Sequence, residues 1–446
     1  MNRTRMSRSP LVLALLAALG AGAASLAQAQ SLVELLDAAR NYDASYQSAK
    51  SAAQATIARG EQARAGVLPT VGLGAAASFS NQSSSLSALD GRSFNSQSAT
   101  LSASQPLYRP VNTANYAQGQ KQAALAEAQL LAAEQDLIVR VSQAYFDVLG
   151  ATDTLTFVRS QKEAVAEQLA SAKRNFEVGT ATIVDTRDAQ ARYDLVVAQE
   201  FAADNDLRVK SLALDQLVGH NGSAPRPLRA PAVLAAVQPA DVNSWVQQSE
   251  GSSPLVQQAA IALEVAKLET EKAQGGNKPT LDLTGSLTAA NNNGSSTSGT
   301  NFTSNVASVG LSFNLPLFSG YAIQNRVKET LALEDKARSD LDVAKRGAAQ
   351  ATRSAFFGVQ SGLSQVQALE AAETSSQIAL DANKLGYQVG VKINIDVLNA
   401  QSQLYSTKAS LAKARYDVLV GGLKLRQAAG SLGFNDLQAI NEQLAP

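Results

Sequence analysis

Few side chains in this 446-residue sequence are equipped for chemistry. Cysteine is absent, which excludes disulfides, thiolate metal sites, iron–sulfur clusters and cysteine nucleophiles together. The single histidine, His220, stands in Gly219-His-Asn-Gly222 behind a helical run. It has no serine–acid constellation around it and reads as a solvent-facing loop residue. With one histidine, a multi-histidine metal site is impossible. Gly72-Leu-Gly74 lacks both the spacing and the following helix of a dinucleotide loop. No cofactor, no metal site and no catalytic group are expected, so the chain is not read as an enzyme. Two carboxylates behind matched Val-Gly pairs remain. Asp185 and Asp396 each follow a Val-Gly pair (Gly179 and Gly390) and precede a helical run. Residue by residue, each reads as a first-turn or cap carboxylate.

The elements that hold these residues are drawn by composition and pattern. Lys+Arg and Asp+Glu are 38 each, so no clustered positive charge suggests nucleic acid as a partner. Charged residues are only 17%, while alanine reaches 80 residues; this mixture suits long helices with thin side chains packed closely. Arg3, Arg5 and Arg8, the apolar run from Leu11 to Leu19, and Ala27-Gln-Ala29 read as a secretory signal peptide over 1–29. Its removal leaves 35 basic against 38 acidic side chains, a net charge of −3. Residue 30 is Gln rather than a lipidatable Cys. Beyond it no apolar stretch is long enough for a membrane helix, which leaves a soluble exported protein or a membrane β-barrel.

The chain then repeats itself. Phe176-Glu-Val-Gly179 matches Tyr387-Gln-Val-Gly390 at an offset of 211, as do Asp185 with Asp396 and Ala189-Gln190 with Ala400-Gln401. Pro69-Thr70 matches Pro279-Thr280 at 210. The expected division is a signal peptide 1–29, a first repeat 30–219 with a hairpin at 70–106, and a proline-rich connector 220–240. A second repeat 241–430 with a hairpin at 280–316 and a tail 431–446 complete it. Trp245, at the start of the second repeat, is expected to pack between helices.

Each repeat reads helix, two strands, very long helix, helix. Val71, Leu73, Ala75, Ala77 and Phe79 alternate with Gly72, Gly74, Ala76, Ser78 and Ser80. Leu281, Leu283 and Leu287 oppose Asp282, Thr284, Ser286 and Thr288; Ala307, Val309, Leu311 and Phe313 oppose Ser308, Gly310, Ser312 and Asn314. Strands of about ten residues, apolar on one face and hydroxyl-lined on the other, suit a membrane barrel with lipid outside and a polar lumen. A half-buried soluble hairpin pair is the alternative. Four strands cannot close a barrel, so in a membrane several copies must pool them. Phe79, Tyr108, Phe302 and Phe318 near strand ends are candidates for aromatic girdles, or for core packing. The runs 108–178 and 319–386 are almost free of proline, and about 70 helical residues would span about 105 Å. Val165, Leu169, Ala172 and Phe176, and again Tyr405, Ala409, Ala412 and Tyr416, follow an eleven-residue spacing that favours near-straight packing.

In this order and duplicated, Leu68-Pro69, Leu315-Pro-Leu-Phe318, Ala144-Tyr-Phe146, Phe176-Glu-Val-Gly179, Gly386-Tyr-Gln-Val-Gly390 with Ile395-Asp-Val-Leu398, and Ala414-Arg-Tyr416 resemble the TolC-type outer-membrane efflux proteins. The resemblance covers essentially the whole chain after residue 29. It implies a mostly helical fold with some β: a homotrimeric channel-tunnel, with four strands per chain pooled into a 12-stranded outer-membrane barrel and the helices forming a periplasmic α-barrel. It implies outer-membrane lipid, a periplasmic adaptor (membrane fusion) protein and an inner-membrane transporter as partners, and no nucleic acid. Substrates would leave through a duct with an iris-like gate, in efflux or type I secretion. By position, Asp396 and Asn399 fall on the constriction. Tyr387 and Lys392 fall on a tie to Asp185, and Gly179 and Gly390 on the turns. Three copies of Asp396 in a narrow throat would repel one another, couple their titrations and attract cations. Lys392 stands where the family often has arginine, without the planar fork. Asn399 replaces a second aspartate, so one acidic ring is expected. The competing reading, a secreted trimeric coiled-coil adhesin or stalk, would put one barrel segment at the C-terminus rather than two inserted hairpins.

Overall fold

The structure, a computed structural model, describes residues 29–86, 90–229, 234–296 and 298–445. The signal peptide read over 1–29 lies outside these residues except for Ala29. Among the described residues no helix is long and apolar enough to cross a membrane.

In chain order the elements are α1 (Leu32–Tyr42), α2 (Ala44–Arg64), β1 (Thr70–Gln82), β2 (Arg92–Tyr108), α3 (Pro110–Glu177), α4 (Ile183–Val218) and α5 (Val242–Ser252). There follow α6 (Pro254–Gly275), β3 (Thr280–Asn293), β4 (Asn301–Asn314), α7 (Ala322–Gln388), α8 (Asn394–Ala429) and α9 (Phe434–Asn441). Helix, hairpin, long helix and helix thus occur twice. The 68 residues of α3 correspond to about 100 Å of helix.

Local chemistry sets the boundaries. Ser31 caps α1 with a reciprocal box: its Oγ accepts from Glu34 N at 3.3 Å and Glu34 Oε2 accepts from Ser31 N at 2.9 Å. The first helical run breaks once, at Asp43, whose carboxylate accepts from Tyr46 N at 2.7 Å and so starts α2. Pro110 occupies the first position of α3, where its missing N–H costs nothing.

The chain divides into two compact units. One holds the described residues of Met1–Gln47, Glu134–Trp245 and Thr352–Pro446, the other those of Ser48–Ala133 and Val246–Ala351.

The second of these units carries the sheet, a single antiparallel meander in the order β1-β2-β3-β4. Its strands run 13 to 17 residues, longer than the ten expected, because the Ser/Asn-rich stretches continue the ladder. Pro106 is accommodated where the β2–β3 register shifts between Pro106 and Tyr108, since it has no N–H for the ladder. Directly paired residues share a face. Leu73↔Leu101, Leu101↔Leu287 and Leu287↔Ala307 therefore continue one apolar face across all four strands. Thr100↔Thr288 and Ser286↔Ser308 line the other, with hydroxyls in contact at 3.1 and 2.8 Å. Val71, Leu73, Val309 and Leu311 stay exposed in the single chain. The register divides the aromatic candidates. Phe79 lies on the apolar face, whereas Phe302 pairs with Asn292, and through it with Ser96 and Ser78, and so belongs to the hydroxyl face. Arg109, between β2 and α3, grips the Asp282 carboxylate of β3 through Nε and Nη2 at 2.7 and 2.6 Å. Glu269 of α6 accepts from Gln118 of α3 at 2.8 Å and from Arg326 of α7 at 2.6 Å, binding the helices of this unit.

The other unit has the larger core. Leu32, Leu35 and Leu36 of α1 meet Leu137, Val141, Tyr145 and Phe146 of α3, Leu214 of α4, Leu423 of α8 and Leu437 of α9. The Tyr145 hydroxyl donates to the Arg226 carbonyl at 2.8 Å and pins the connector. Trp245 packs with Phe356, Leu425 and Ala429, as expected, and its Nε1 donates to the Pro239 carbonyl at 2.8 Å. His220 lies beyond the end of α4, its Nδ1 3.4 Å from Ser223 Oγ.

Candidate functional site

The matched turns lie in the larger-cored unit. Residue 179 ends α3 at φ 79° and residue 390 ends α7 at φ 79°, the left-handed conformation that glycine adopts without strain. In the first turn Thr180 N and Ala181 N donate to the Asn175 carbonyl at 2.8 and 3.1 Å. In the second, Val391 N and Lys392 N donate to the Gly386 carbonyl at 2.8 and 3.0 Å. The duplication therefore reaches individual hydrogen bonds.

It stops at the caps. Thr182 precedes α4 and Ile393 precedes α8, with nearly the same backbone (φ −89°, ψ 160° and φ −98°, ψ 161°). Thr182 Oγ1 accepts from Asp185 N at 3.3 Å, and Asp185 Oδ2 accepts from Thr182 N at 2.9 Å and from its hydroxyl at 2.7 Å. Asp185 is thereby consumed by a capping box. Ile393 has no hydroxyl, so α8 has no side-chain cap. The Asp396 carboxylate lies 3.6 Å from Lys392 Nζ instead, both groups being partly exposed.

The tie implied by the resemblance is built differently here. Tyr387 Oη accepts from Asn175 Nδ2 at 3.1 Å, and Lys392 faces Asp396 rather than Asp185. Asp185 reaches the second repeat through its carbonyl, which accepts from Asn394 Nδ2 at 3.5 Å. Its carboxylate is committed to Thr182, whose hydroxyl is nearer in sequence and already oriented by the cap. Asn399 Oδ1 accepts from Arg192 Nη2 at 2.7 Å, and Gln168 Nε2 donates to Asn394 Oδ1. Asn175, Gln168, Asn394 and Arg192 were not among the candidates read from sequence. Amides seven residues apart on α3 were the signal that could have found the first two. Between these contacts Val165, Leu169 and Ala172 pack with Ala189, Val196 and Leu398. Phe176, the fourth member of that expected stripe, is exposed. In the second repeat Tyr416 of the expected stripe is buried, but Tyr405, Ala409 and Ala412 are only half-buried, and Leu404, Leu411, Ala414 and Val418 carry the rest of the buried stripe. Its seven-residue spacing is that of a left-handed seam.

Further along α3, Tyr416 stacks on Phe146 with ring centroids 5.5 Å apart and donates to Asp153 Oδ2 at 2.7 Å. Burial pushes the Asp153 carboxyl up, and the Tyr416 hydrogen bond partly offsets this. Nearer the turns, Lys162 and Arg159 of α3 hold Glu200 of α4 at 2.5 and 3.2 Å and keep its carboxyl below the ordinary range. Among the described residues no acid or histidine cluster could hold a metal ion.

A duplicated, mostly helical chain, with a four-stranded sheet that is apolar on one face and hydroxyl-lined on the other, has the make-up of a trimeric channel-tunnel of the outer membrane. The chain belongs to the outer membrane efflux protein family, which matches residues 35–220 and 245–431, one copy per repeat. It is 33% identical to outer membrane protein TolC of Escherichia coli over 434 residues, 95% of this chain and 87% of the relative. It is 31% identical to the alkaline protease secretion protein AprF of Pseudomonas aeruginosa, over 78% of this chain and 73% of that one. Its fold matches the outer membrane protein VceC of Vibrio cholerae with a TM-score of 0.75 at 18% identity, covering 90% and 96% of the two chains. The protein is accordingly an exit duct of the Gram-negative outer membrane, extending into the periplasm and serving efflux and type I secretion, and not an enzyme. Ducts of this class work with a periplasmic adaptor and an inner-membrane transporter. The adhesin or stalk reading gives way to the family match over both repeats.

Proposed function

We propose that three copies of this chain pool their strands into a 12-stranded barrel in outer-membrane lipid, and that the duct closes at Asp396. The observation that carries this reading is the sheet: both outer strands, β1 and β4, have an open edge, and one face is apolar. In a meander of four strands β1 and β4 run in opposite directions. The β4 edge of one copy therefore meets the β1 edge of the next as an antiparallel pair, which satisfies the backbone groups that lipid would leave bare. The repeats are taken as 30–219 and 241–430, joined by 220–240.

The different caps support a constriction at Asp396 rather than Asp185. Asp185 is held in its own box, while Asp396 pairs with Lys392 and makes no cap. Asn399 adds no charge, so each copy contributes one carboxylate to a single acidic ring. Tyr387, through Asn175, and Asn399, through Arg192, hold the second repeat's turn to the first repeat. Gly179 and Gly390 shape the two tips, and a periplasmic adaptor (membrane fusion) protein joins the duct to an inner-membrane transporter. Both small toxic molecules and unfolded polypeptides fit a hydroxyl-lined lumen, and the secretion role in the name of the Pseudomonas relative favours including polypeptides.

The test is single-channel conductance of the purified chain in a planar bilayer, with the mass of the assembly measured on the same sample. Small, cation-selective, mostly closed events from a trimer are expected. Asp396→Ala is expected to lose cation preference and to resist block by hexaamminecobalt. A folded trimer that conducts nothing, or an Asp396→Ala duct blocked as readily as the parent, would count against the duct and the ring respectively.

A further inference from the structure

The two faces of the sheet differ in cover as well as in chemistry. Along β3, Thr288, Ala290 and Asn292 of the hydroxyl face are half-buried, whereas Leu287, Ala289 and Asn291 of the apolar face are exposed. Along β2, Ser96, Ser98 and Thr100 are half-buried and Asn95, Gln97 and Ala99 exposed. A sheet curled toward its hydroxyl face covers that face more, and the inner face of a barrel is the concave one.

Two aromatic side chains stand on this polar face, both near the hairpin end and away from the helices. Phe94 of β2 pairs with Ser80, and Phe302 of β4 pairs with Asn292, which pairs in turn with Ser96. Phe94 is half-buried and Phe302 is 45% exposed. Aromatic girdles face lipid, so these two rings belong to none. The duplication did not supply them either: at the offset of 210, Phe94 corresponds to Ser304 and Phe302 to Arg92. Each repeat contributes one ring of its own.

Strand pairing fixes their separation. The two rings stand two strands apart, about 9.6 Å, and one same-face step along the strands, about 6.8 Å, so their carriers are about 12 Å from each other. A third ring lodged midway has an aromatic neighbour about 6 Å away on each side, inside the range of roughly 4.5–7 Å for aromatic pairs. The wall between them is low and fixed. Gly294 lies beside Phe94, where a Cβ would stand 3.3 Å from Phe94 Cβ. The Ser96 hydroxyl donates to Asn292 Oδ1 at 2.6 Å and holds that amide in place.

A charge stands at the end of this gap. The next residue outward on the same face of β2 is Arg92, half-buried, with Nη1 buried and without a hydrogen-bond partner. Its cross-strand neighbour Gln82 does not accept from it, since Gln82 Oε1 is likewise without a partner. A buried guanidinium N–H left unmade is costly, and a carboxylate is the acceptor that best matches its fork. Arg92 is about 11 Å from the midpoint between the two phenylalanines, a distance that its long side chain and a carboxylate on the lodged ring close between them.

We infer that Phe94, Phe302 and Arg92 form a slot on the inner face of the barrel, one per chain, that takes small aromatic carboxylates near the outer mouth. The inference deepens the duct reading and rests on it for the place of the slot. The rings hold the solute's ring by both sides, the guanidinium holds its carboxylate, and Asn292 with Gly294 forms the floor.

The test uses the full chain reconstituted in lipid, with Phe302→Trp as reporter and 4-nitrobenzoate as probe, since a nitroaromatic ring quenches tryptophan on contact. The native Trp245 is 5% exposed and gives a constant background. Saturable quenching is expected, reversed by benzoate and not by cyclohexanecarboxylate. Adding Arg92→Gln is expected to raise the half-saturating concentration roughly tenfold, with Arg92→Lys in between. Adding Phe94→Ser is expected to raise it roughly fivefold. Quenching that rises linearly without saturation overturns the slot, as does a half-saturation indifferent to Arg92→Gln or a cyclohexane acid that competes as well as benzoate. Quenching needs no conducting channel. A chain that conducts but shows no saturable quenching sinks the slot alone, whereas a folded assembly that conducts nothing sinks the duct reading.

Discussion

At the head of α4 the Thr182 hydroxyl and the Asp185 carboxylate satisfy each other's backbone N–H, whereas Ile393 at the matched position can do neither for Asp396. One side chain thus decides whether the carboxylate caps its helix or faces a lysine. Ile393→Thr is expected to draw Asp396 into a cap and away from Lys392. That would stabilise α8 by about 1 kcal/mol and weaken hexaamminecobalt block, measured by thermal unfolding and by conductance. Asp43 provides a second residue-scale case. The Arg140 guanidinium, at 3.0 Å, holds its carboxyl below the ordinary value of 3.8 despite partial burial. A lowered carboxyl contributes stability above its ordinary value and loses it as pH falls below. Asp43→Asn keeps a competent cap but removes the charge pair. It is expected to cost up to about 1 kcal/mol at pH 7 and nothing near pH 2. Denaturant unfolding at both pH values checks this.

At the scale of elements, long alanine-rich helices hold together through a few strong contacts set in thin packing. Tyr416 is the clearest of them, since it stacks on Phe146 and supplies a hydrogen bond to a carboxylate that burial has pushed up. Removing that donor leaves Asp153 without its compensation. Tyr416→Phe is expected to destabilise the chain by about 1–3 kcal/mol at pH 7. The loss should shrink as pH falls, because the raised carboxyl takes up a proton and no longer buries a charge. Asp153→Asn in the Tyr416→Phe background should recover most of the stability. Denaturant unfolding at pH 7 and pH 4 checks both statements, and an equal loss at the two pH values would contradict the assignment.

At the scale of the whole molecule, the sheet is incomplete in one chain and the duct exists only in the assembly. Its two faces nevertheless make opposite demands. Val309 lies on the apolar face, paired with Gly285, and is 83% exposed in the single chain; Ser308, paired with Ser286, lies on the hydroxyl face. Val309→Lys is expected to cost about 2–4 kcal/mol if it points into lipid, and Ser308→Lys to be tolerated in a wet lumen. Yield of the assembled trimer after refolding into lipid would separate the two, although the substitutions are neighbours in sequence. Equal effects would mean that the two faces meet the same surroundings.

Much of this was legible in the residues themselves. Alternation in Val71–Phe79 and Ala307–Phe313 reports strands with unlike faces, proline-free runs report long helices, and matched Val-Gly pairs report the duplicated turns. These are short-range patterns, written by the geometry of neighbouring residues. The rest depended on partners far away in sequence. Phe302 falls on the hydroxyl face because the β3–β4 pairing sets it against Asn292. The buried stripe of α8 is Leu404, Leu411 and Val418 rather than Tyr405, Ala409 and Ala412. A helix with alanine on every side has no single apolar face, so only the position of its neighbours selects one. Asp185 and Asp396 look alike in sequence and separate only when backbone geometry places Thr182 and Ile393 at the caps. By itself the sequence determined the elements, their repetition and the two faces of the sheet. Tertiary structure alone decided which helix face is buried and which polar side chains tie the two repeats together, because both depend on contacts between residues some two hundred positions apart.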